Sequence, residues 1–244
     1  MQNSTLRARR IVAAVVSIGV IAAAPARAAS VAPVAAENGM VVSAQHLATE
    51  VGIEVLKRGG NAVDAAVAVG YALAVVYPAA GNLGGGGFMT IQLADGRKTF
   101  LDFRETAPKG ATANMYLDKD GNVIAGLSTK GHLAVGVPGS VAGMEYAREK
   151  YGTMKRADVI APALQLAEDG FVLDQGDVSM FQTATKDFED DPASAAIFLN
   201  NGKPFQVGER LAQHELAETL REISKRGTDG FYRGWVGAAI VASN

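Results

Sequence analysis

Few residues in this sequence have the type and setting for chemistry, and one arginine stands out among them. Arg104 follows a short strand-like run, Thr99–Phe103, and precedes Glu105. A guanidinium at the end of a strand is a rigidly held planar fork that suits a carboxylate. The residues alone leave two interpretations open. One is an ion pair with Asp102, Glu105 or another neighbour, which is the commoner arrangement, and the other is binding of a carboxylate ligand.

Other catalytic and metal-binding patterns are missing from the sequence. There is no cysteine, which excludes disulfides, thiol nucleophiles and thiolate metal sites. His46, His132 and His214 lie far apart and outside any H-E-x-x-H pattern, so we assign no metal site. The glycine-rich stretch contains neither a dinucleotide-binding nor a phosphate-binding pattern, and no G-x-S-x-G elbow occurs. We therefore expect no cofactor.

The elements that must position Arg104 begin with a glycine run, in which five of the seven residues from 81 to 87 are glycine. Two strand-like runs follow, Phe88–Leu93 and Thr99–Phe103, and Asp95-Gly96 between them predicts a β-hairpin. Glycines beside a strand indicate backbone packed closely against a neighbour, or positive φ. We interpret the run as close packing against the preceding helix rather than as a direct ligand contact.

Helices are predicted on both sides of this hairpin. After a short strand at Gly39–Val42, Ser43 is expected to cap a helix over about 44–58. Asn61 and Asp64 form a capping-box pattern that begins a second helix, and this helix has no charge over 65–76, so it should be buried on every side. Further helices are predicted at about 140–151, 157–169, 209–226 and 235–241, with a solvated acidic stretch at 188–191 and a hairpin over 197–205.

Composition and the N-terminus limit the class of protein. The 244 residues carry a net charge of −2, which argues against a nucleic-acid partner. A basic start, an apolar segment over 11–24 and the triplet Ala26-Arg27-Ala28 indicate a cleaved signal peptide at residues 1–28. That apolar segment is shorter than the roughly 20 residues of a membrane span. We expect a flexible mature N-terminus at 29–38, a folded part at 39–244, no stable membrane anchor, and a periplasmic or secreted location.

Several motifs together resemble the gamma-glutamyltranspeptidase (glutathione hydrolase) family. They are GGNAVDAAVAVGYALAVVYP at 59–78, GNLGGGGFM at 81–89, DFRETAP at 102–108, VGVPGSVAG at 135–143, YGTM at 151–154 and LAEDGF at 166–171. The resemblance implies an α/β (α+β) fold, the αββα sandwich of N-terminal-nucleophile hydrolases, incomplete here because this chain resembles the large-subunit part of the precursor. It also implies that Arg104 binds the α-carboxylate of a γ-glutamyl group.

The resemblance further implies a precursor that cleaves itself to expose a catalytic threonine at the start of a small subunit. The family's Thr-Thr-His motif is absent from this sequence, so we assign no catalytic residue and expect the nucleophile beyond Asn244. Glutathione and related γ-glutamyl compounds are the implied substrates, and the small subunit from the same precursor is the implied partner. Alternatives are a related acylase or poly-γ-glutamate hydrolase, or a secreted binding protein without catalysis. The chain alone is expected to be inactive.

Overall fold

The computed structural model describes residues 33–243, and every element that positions Arg104 lies in the unit that starts at Gly39. The predicted signal peptide at 1–28 lies outside the described residues. Residues 33–38 are exposed and form no helix or strand. No helix in the described part of the chain is long and apolar enough to cross a membrane.

The charge-free segment predicted after Asn61 forms the buried centre of this unit. It folds into helix α2 (Ala62–Val76), which packs against α1 (His46–Lys57) on the N-terminal side. Burial on nearly every side is confirmed, and only Ala62 and Ala66 stay exposed. Because an apolar helix of this kind cannot face water, the other elements are arranged around it.

Two later helices complete the packing around α2. They are α3 (Ser140–Tyr151) and α4 (Arg156–Asp169), and both contact α2. Both lie within one residue of the predicted bounds. α4 also packs against a more distant helix, α7 (His214–Arg226), so that the core continues from α2 through α4 to α7.

The capping box at the start of α2 also joins that helix to the end of α3. The Asp64 carboxylate accepts hydrogen bonds from the Asn61 amide at 2.9 Å, the Thr153 hydroxyl at 2.7 Å and the Met154 amide at 3.2 Å. Burial raises the pKa of Asp64, but the hydrogen bonds from Thr153, Asn61 and Met154 outweigh burial and hold that pKa below its usual value. The buried carboxylate therefore stays charged and fixes how α2 and α3 meet.

The predicted hairpin is confirmed, with strands β1 (Phe88–Gln92) and β2 (Lys98–Asp102) paired antiparallel. Its inner face packs on the helices through Met89, Ile91 and Leu101. The outer face exposes Phe88 and Phe100, whose rings stack with centroids 5.8 Å apart. The hairpin thus covers the helices with one face and leaves an apolar pair on the other.

The remaining elements are short strand pairs and surface helices. The strand pairs are β3 (Phe171–Val172) with β6 (Arg210–Leu211), and β4 (Leu199–Asn200) with β5 (Lys203–Pro204). The helices are α5 (Gln175–Asp190), α6 (Pro192–Phe198), α8 (Thr228–Tyr232) and α9 (Trp235–Ser243), and a 3-10 turn spans His132–Ala134. The predicted hairpin over 197–205 corresponds to β4–β5, and the helix predicted at 235–241 corresponds to α9.

Several local predictions were wrong. Gly39–Val42 forms no strand, and α1 is capped by Gln45, whose side-chain oxygen accepts from the Leu47 amide at 2.7 Å. Ser43 instead donates to the backbone of Gln45. The helix predicted over 209–226 begins only at His214, because Arg210–Leu211 pairs as a strand.

The acidic residues of the stretch at 188–191 are exposed, as predicted, but the stretch ends helix α5 and its Phe188 is half-buried. Phe188 stacks on Phe198 with ring centroids 5.0 Å apart, and Phe181 joins the same cluster. The signal for this helix was present in the sequence as a second capping box, formed by Asp174 and Asp177. The charged residues at the C-terminal end of α5 made the apolar side of this helix difficult to recognise in the sequence.

Candidate functional site

Arg104 lies two residues beyond the end of β2, one residue further than the sequence predicts. Its backbone amide donates to Asp102 Oδ1 at 3.0 Å, and its guanidinium Nε lies 3.7 Å from Glu105 Oε1. The Arg104 side chain is 68% exposed. An exposed pair at this distance contributes at most about 1 kcal/mol, so it holds the guanidinium only weakly. The charge of Arg104 is therefore accessible to a ligand.

The glycine loop, residues 81–87, packs closely against the arginine segment, Phe103–Thr106. A side chain at Gly86 would collide with the Glu105 amide and would lie 2.6 Å from the Arg104 Cα. A side chain at Gly87 would lie 2.8 Å from the Phe103 ring. These glycines are needed because the two backbones approach closely, and any larger residue would push Arg104 out of place.

The expected packing of the glycine run against the preceding helix holds only at its first residue. A side chain at Gly81 would meet the Leu73 carbonyl of α2, whereas Gly84 has open space around it. Gly86 and Gly87 face the arginine segment instead. The glycine loop therefore supports the position of Arg104 more than it fills the core.

The start of α3 completes the surroundings of the arginine segment. Thr106 and Val137 pair through two backbone hydrogen bonds of 3.1 and 2.8 Å. The Gly85 carbonyl accepts from the amides of Gly139 and Ser140 at 2.7 and 2.9 Å. Arg104 thus lies between two backbone attachments, one to the glycine loop and one to the segment that leads into α3.

Asn82 ties the glycine loop to α3 through its side chain. Its Oδ1 accepts from the Gly85 amide at 2.7 Å and from the Ser140 hydroxyl at 3.0 Å. Its Nδ2 donates to the Ala80 carbonyl at 2.9 Å. With all of its polar atoms engaged, Asn82 is a structural link in this site, and the sequence analysis did not single it out.

Two further glycines leave the space that the ring and the backbone of Phe103 occupy. A side chain at Gly143 would overlap the Phe103 ring, and one at Gly139 would overlap the Phe103 carbonyl. Both glycines belong to the 135–143 motif, which in the sequence alone indicates only the family resemblance. Their physical role is to let α3 approach the arginine segment, a requirement that only the folded chain reveals.

The three histidines are not brought together among residues 33–243. His46, His132 and His214 belong to three different elements, and no group of three or more His, Cys, Asp or Glu in this part of the chain could hold a metal ion. His46 lies 3.7 Å from Asp174, far along the chain from the arginine segment. What the described residues offer instead is the exposed guanidinium of Arg104.

The helical layer around α2 and the antiparallel hairpin that it carries form an α+β architecture. Its likeness to solved structures identifies it as a portion of an N-terminal-nucleophile hydrolase fold. The sequence pattern of the family described as Gamma-glutamyltranspeptidase matches residues 48–244. The chain belongs to this family and is the N-terminal, large-subunit portion of such a precursor.

Individual relatives agree with this membership. The glutathione hydrolase proenzyme of Pseudomonas sp. (strain A14) is 75% identical over 217 residues, which cover 88% of this chain and 38% of the relative. The glutathione hydrolase proenzyme of Escherichia coli (strain K12) is 48% identical over 210 residues, covering 86% of this chain and 36% of the relative. The chain therefore spans little more than a third of the length of these curated relatives.

A solved structure supports the fold independently. The crystal structure of Helicobacter pylori gamma-glutamyltranspeptidase superposes with a TM-score of 0.83 at 48% identity, covering 86% of this chain and 60% of that one. The predicted α+β class is confirmed by this likeness.

Proposed function

We propose that the complete precursor is a gamma-glutamyltransferase and glutathione hydrolase, to which this chain contributes the large-subunit part. The observation that carries the proposal is the family match over residues 48–244, which includes the whole arginine segment. The substrates would be glutathione and other γ-glutamyl amides. The second subunit, cut from the same precursor, is the proposed partner.

Arg104 is the proposed binding residue for the α-carboxylate of the γ-glutamyl group. Its exposed guanidinium, its weak internal partner Glu105 and its backbone attachments on both sides support this role. A guanidinium binds a carboxylate through two parallel hydrogen bonds, which fixes both the position and the orientation of the substrate. A substrate held in this way has its α-carboxylate fixed, which limits the positions that its γ-amide can reach.

The chemistry would come from the second subunit. A threonine hydroxyl there attacks the γ-glutamyl amide carbon, and the free amine of the same threonine accepts the hydroxyl proton. The leaving amine departs with a proton, and the glutamyl group stays bound as an ester. Water or the amino group of an amino acid then takes the glutamyl group and regenerates the hydroxyl.

The test compares the complete precursor with the 244-residue chain. We expect the complete precursor to cleave itself into two subunits and to hydrolyse a γ-glutamyl anilide. The 244-residue chain should do neither, because its sequence lacks the Thr-Thr-His motif. Gel analysis and anilide release measure the two properties.

Three results would contradict the proposal. Hydrolysis by the 244-residue chain at enzymatic rates would show that the catalytic group lies within it. A complete precursor that cleaves only acyl amides without a glutamyl group would be an acylase. A precursor that never cleaves itself but binds glutamate would be a binding protein.

We also propose that the protein is exported and cleaved close to Ala28, because of the basic start and the Ala26-Arg27-Ala28 triplet. Protein purified from the periplasm or the medium should have an intact mass that lacks about the first 28 residues. A mass that retains Met1 would contradict this part of the proposal.

A further inference from the structure

The start of α3 lacks a cap of its own. The residue at its N-cap position is Gly139, which has no side chain to accept a hydrogen bond from the first turn. The first amides of a helix have no partner within the helix and need one from elsewhere. A side chain at this position is excluded, because it would overlap the Phe103 carbonyl. Close packing against the arginine segment thus prevents α3 from having a local cap.

The Gly85 carbonyl accepts from the Gly139 and Ser140 amides, and Tyr232, which belongs to α8, supplies a further part of the cap. The Ala142 amide, in the first turn of α3, donates to the Tyr232 hydroxyl at 3.2 Å. The same hydroxyl donates to the Pro138 carbonyl at 2.9 Å. Tyr232 therefore bridges the residue before the helix and the first turn of the helix, with one donated and one accepted hydrogen bond.

The Tyr232 hydroxyl is itself held in place by packing. Its ring packs edge-on against the buried Phe231, with centroids 5.0 Å apart. α8, which carries both residues, contacts both α3 and α7. The hydroxyl is therefore a fixed partner rather than a mobile surface group.

We propose that Tyr232 is a positioning residue for Arg104. By holding Pro138 and Ala142, it sets the location of Val137, which pairs with Thr106, and of Gly139, which binds the Gly85 carbonyl. The first attachment holds the arginine segment itself, and the second holds the glycine loop that packs against that segment. Tyr232 needs no contact with substrate for this role, since it acts through the backbone on which Arg104 lies. The catalytic consequence rests on the proposed function, whereas the positioning itself does not.

The first experiment measures hydrogen exchange in the complete precursor and needs no activity. Tyr232→Phe keeps the ring and removes both hydrogen bonds. Exchange should become about 3- to 10-fold faster in peptides covering 103–108 and 137–143, because these segments open more often once Tyr232 no longer holds Pro138 and Ala142. A peptide covering the hairpin turn at 93–97 should be unchanged. Exchange that rises nowhere, or rises equally in all three peptides, would overturn the proposal. The measurement also applies to a precursor that fails to mature.

Tyr146→Phe is the matched control. Tyr146 lies on the exposed side of α3, and within the described residues its hydroxyl has no hydrogen-bond partner. Removing that hydroxyl should leave exchange at 103–108 as it is in the unmodified protein. A rise there equal to that of Tyr232→Phe would also overturn the proposal.

The second experiment links positioning to binding through a double-mutant cycle. Tyr232→Phe should lower kcat/KM for a γ-glutamyl anilide about 3- to 10-fold in the Arg104 protein, but less than about 2-fold in the Arg104→Lys protein. An equal fall in kcat/KM in the Arg104 and Arg104→Lys proteins would show that Tyr232 acts independently of Arg104, which would contradict the positioning role. If Arg104→Lys alone has no effect on the anilide, the proposed function of Arg104 fails, and the hydrogen-exchange result still decides the positioning.

Discussion

Replacing Arg104 by alanine in the complete precursor should remove about 2–5 kcal/mol of transition-state stabilisation towards a γ-glutamyl anilide, read as a fall in kcat/KM. The physical reason is the loss of a charge-assisted, bidentate contact to a carboxylate that leaves water on binding. Arg104→Lys should recover little of this loss, because an ammonium cannot reproduce the planar fork. Both variants should still cleave themselves into subunits, since the Arg104 side chain contributes little to the fold.

The comparison substrate is the same anilide without its α-carboxylate. If Arg104 binds that carboxylate, the variants should lose their preference for the complete substrate. Arg97→Ala is the matched control, because Arg97 is an exposed arginine of the same hairpin that pairs with Asp95 at 2.7 Å. It should leave kcat/KM unchanged. Equal losses of kcat/KM on the two substrates would contradict carboxylate binding and favour the interpretation that Arg104 only forms an ion pair.

Replacing Glu145 by alanine should produce the largest loss of stability in this part of the protein. Its carboxylate is 1% exposed and accepts from the Tyr71 hydroxyl at 3.2 Å, from Arg148 at 3.1 Å and from Arg156 Nε. Burial, followed by the Glu145 charge, raises the pKa of Tyr71 well above its usual value, so Tyr71 remains a donor. Removing the buried partner of an ion pair costs about 3–5 kcal/mol. Glu149 still contacts both arginines, but from an exposed position, so it compensates their charge only in part.

Urea-induced unfolding, followed by circular dichroism, should show this loss as a lower midpoint. Glu149→Ala is the control, because Glu149 contacts the same two arginines at 3.0 Å from a 59% exposed position. Its loss should stay below about 1 kcal/mol. If the two variants unfold at the same urea concentration, the buried ion pairs of Glu145 contribute no more to stability than the exposed ones of Glu149.

The features that the sequence predicted well are those with short-range signals. The capping box of Asn61 and Asp64 and the turn Asp95-Gly96 each place their decisive residues within a few positions of each other. Arg104 was singled out as a candidate because it follows a strand and belongs to a family motif. In these cases the local chain already contains the hydrogen bonds or turn geometry that define the element.

The features that the sequence did not predict depend on distant residues or on competing signals. The residues around Gly139 in the sequence do not indicate that Gly139 must pack against Phe103. They also do not indicate that Tyr232 caps α3, the helix that begins after Gly139. The start of α7 was placed too early because Arg210–Leu211 pairs with a strand far back in the chain. Such pairings cannot be predicted from a single sequence, because they join residues that are far apart in the chain and meet only when the core forms.

The cap that Tyr232 provides has a consequence for the order of events during synthesis. Tyr232 and Pro138 are 94 positions apart in the chain. At ribosomal rates of about 5–20 residues per second, roughly 5–20 s pass between the appearance of the helix start and that of its cap. During this interval α3 has an incomplete first turn, and the arginine segment lacks its final anchorage. The segment that would recognise substrate therefore gains this anchorage only after the core helix α2 and the helix start have been made.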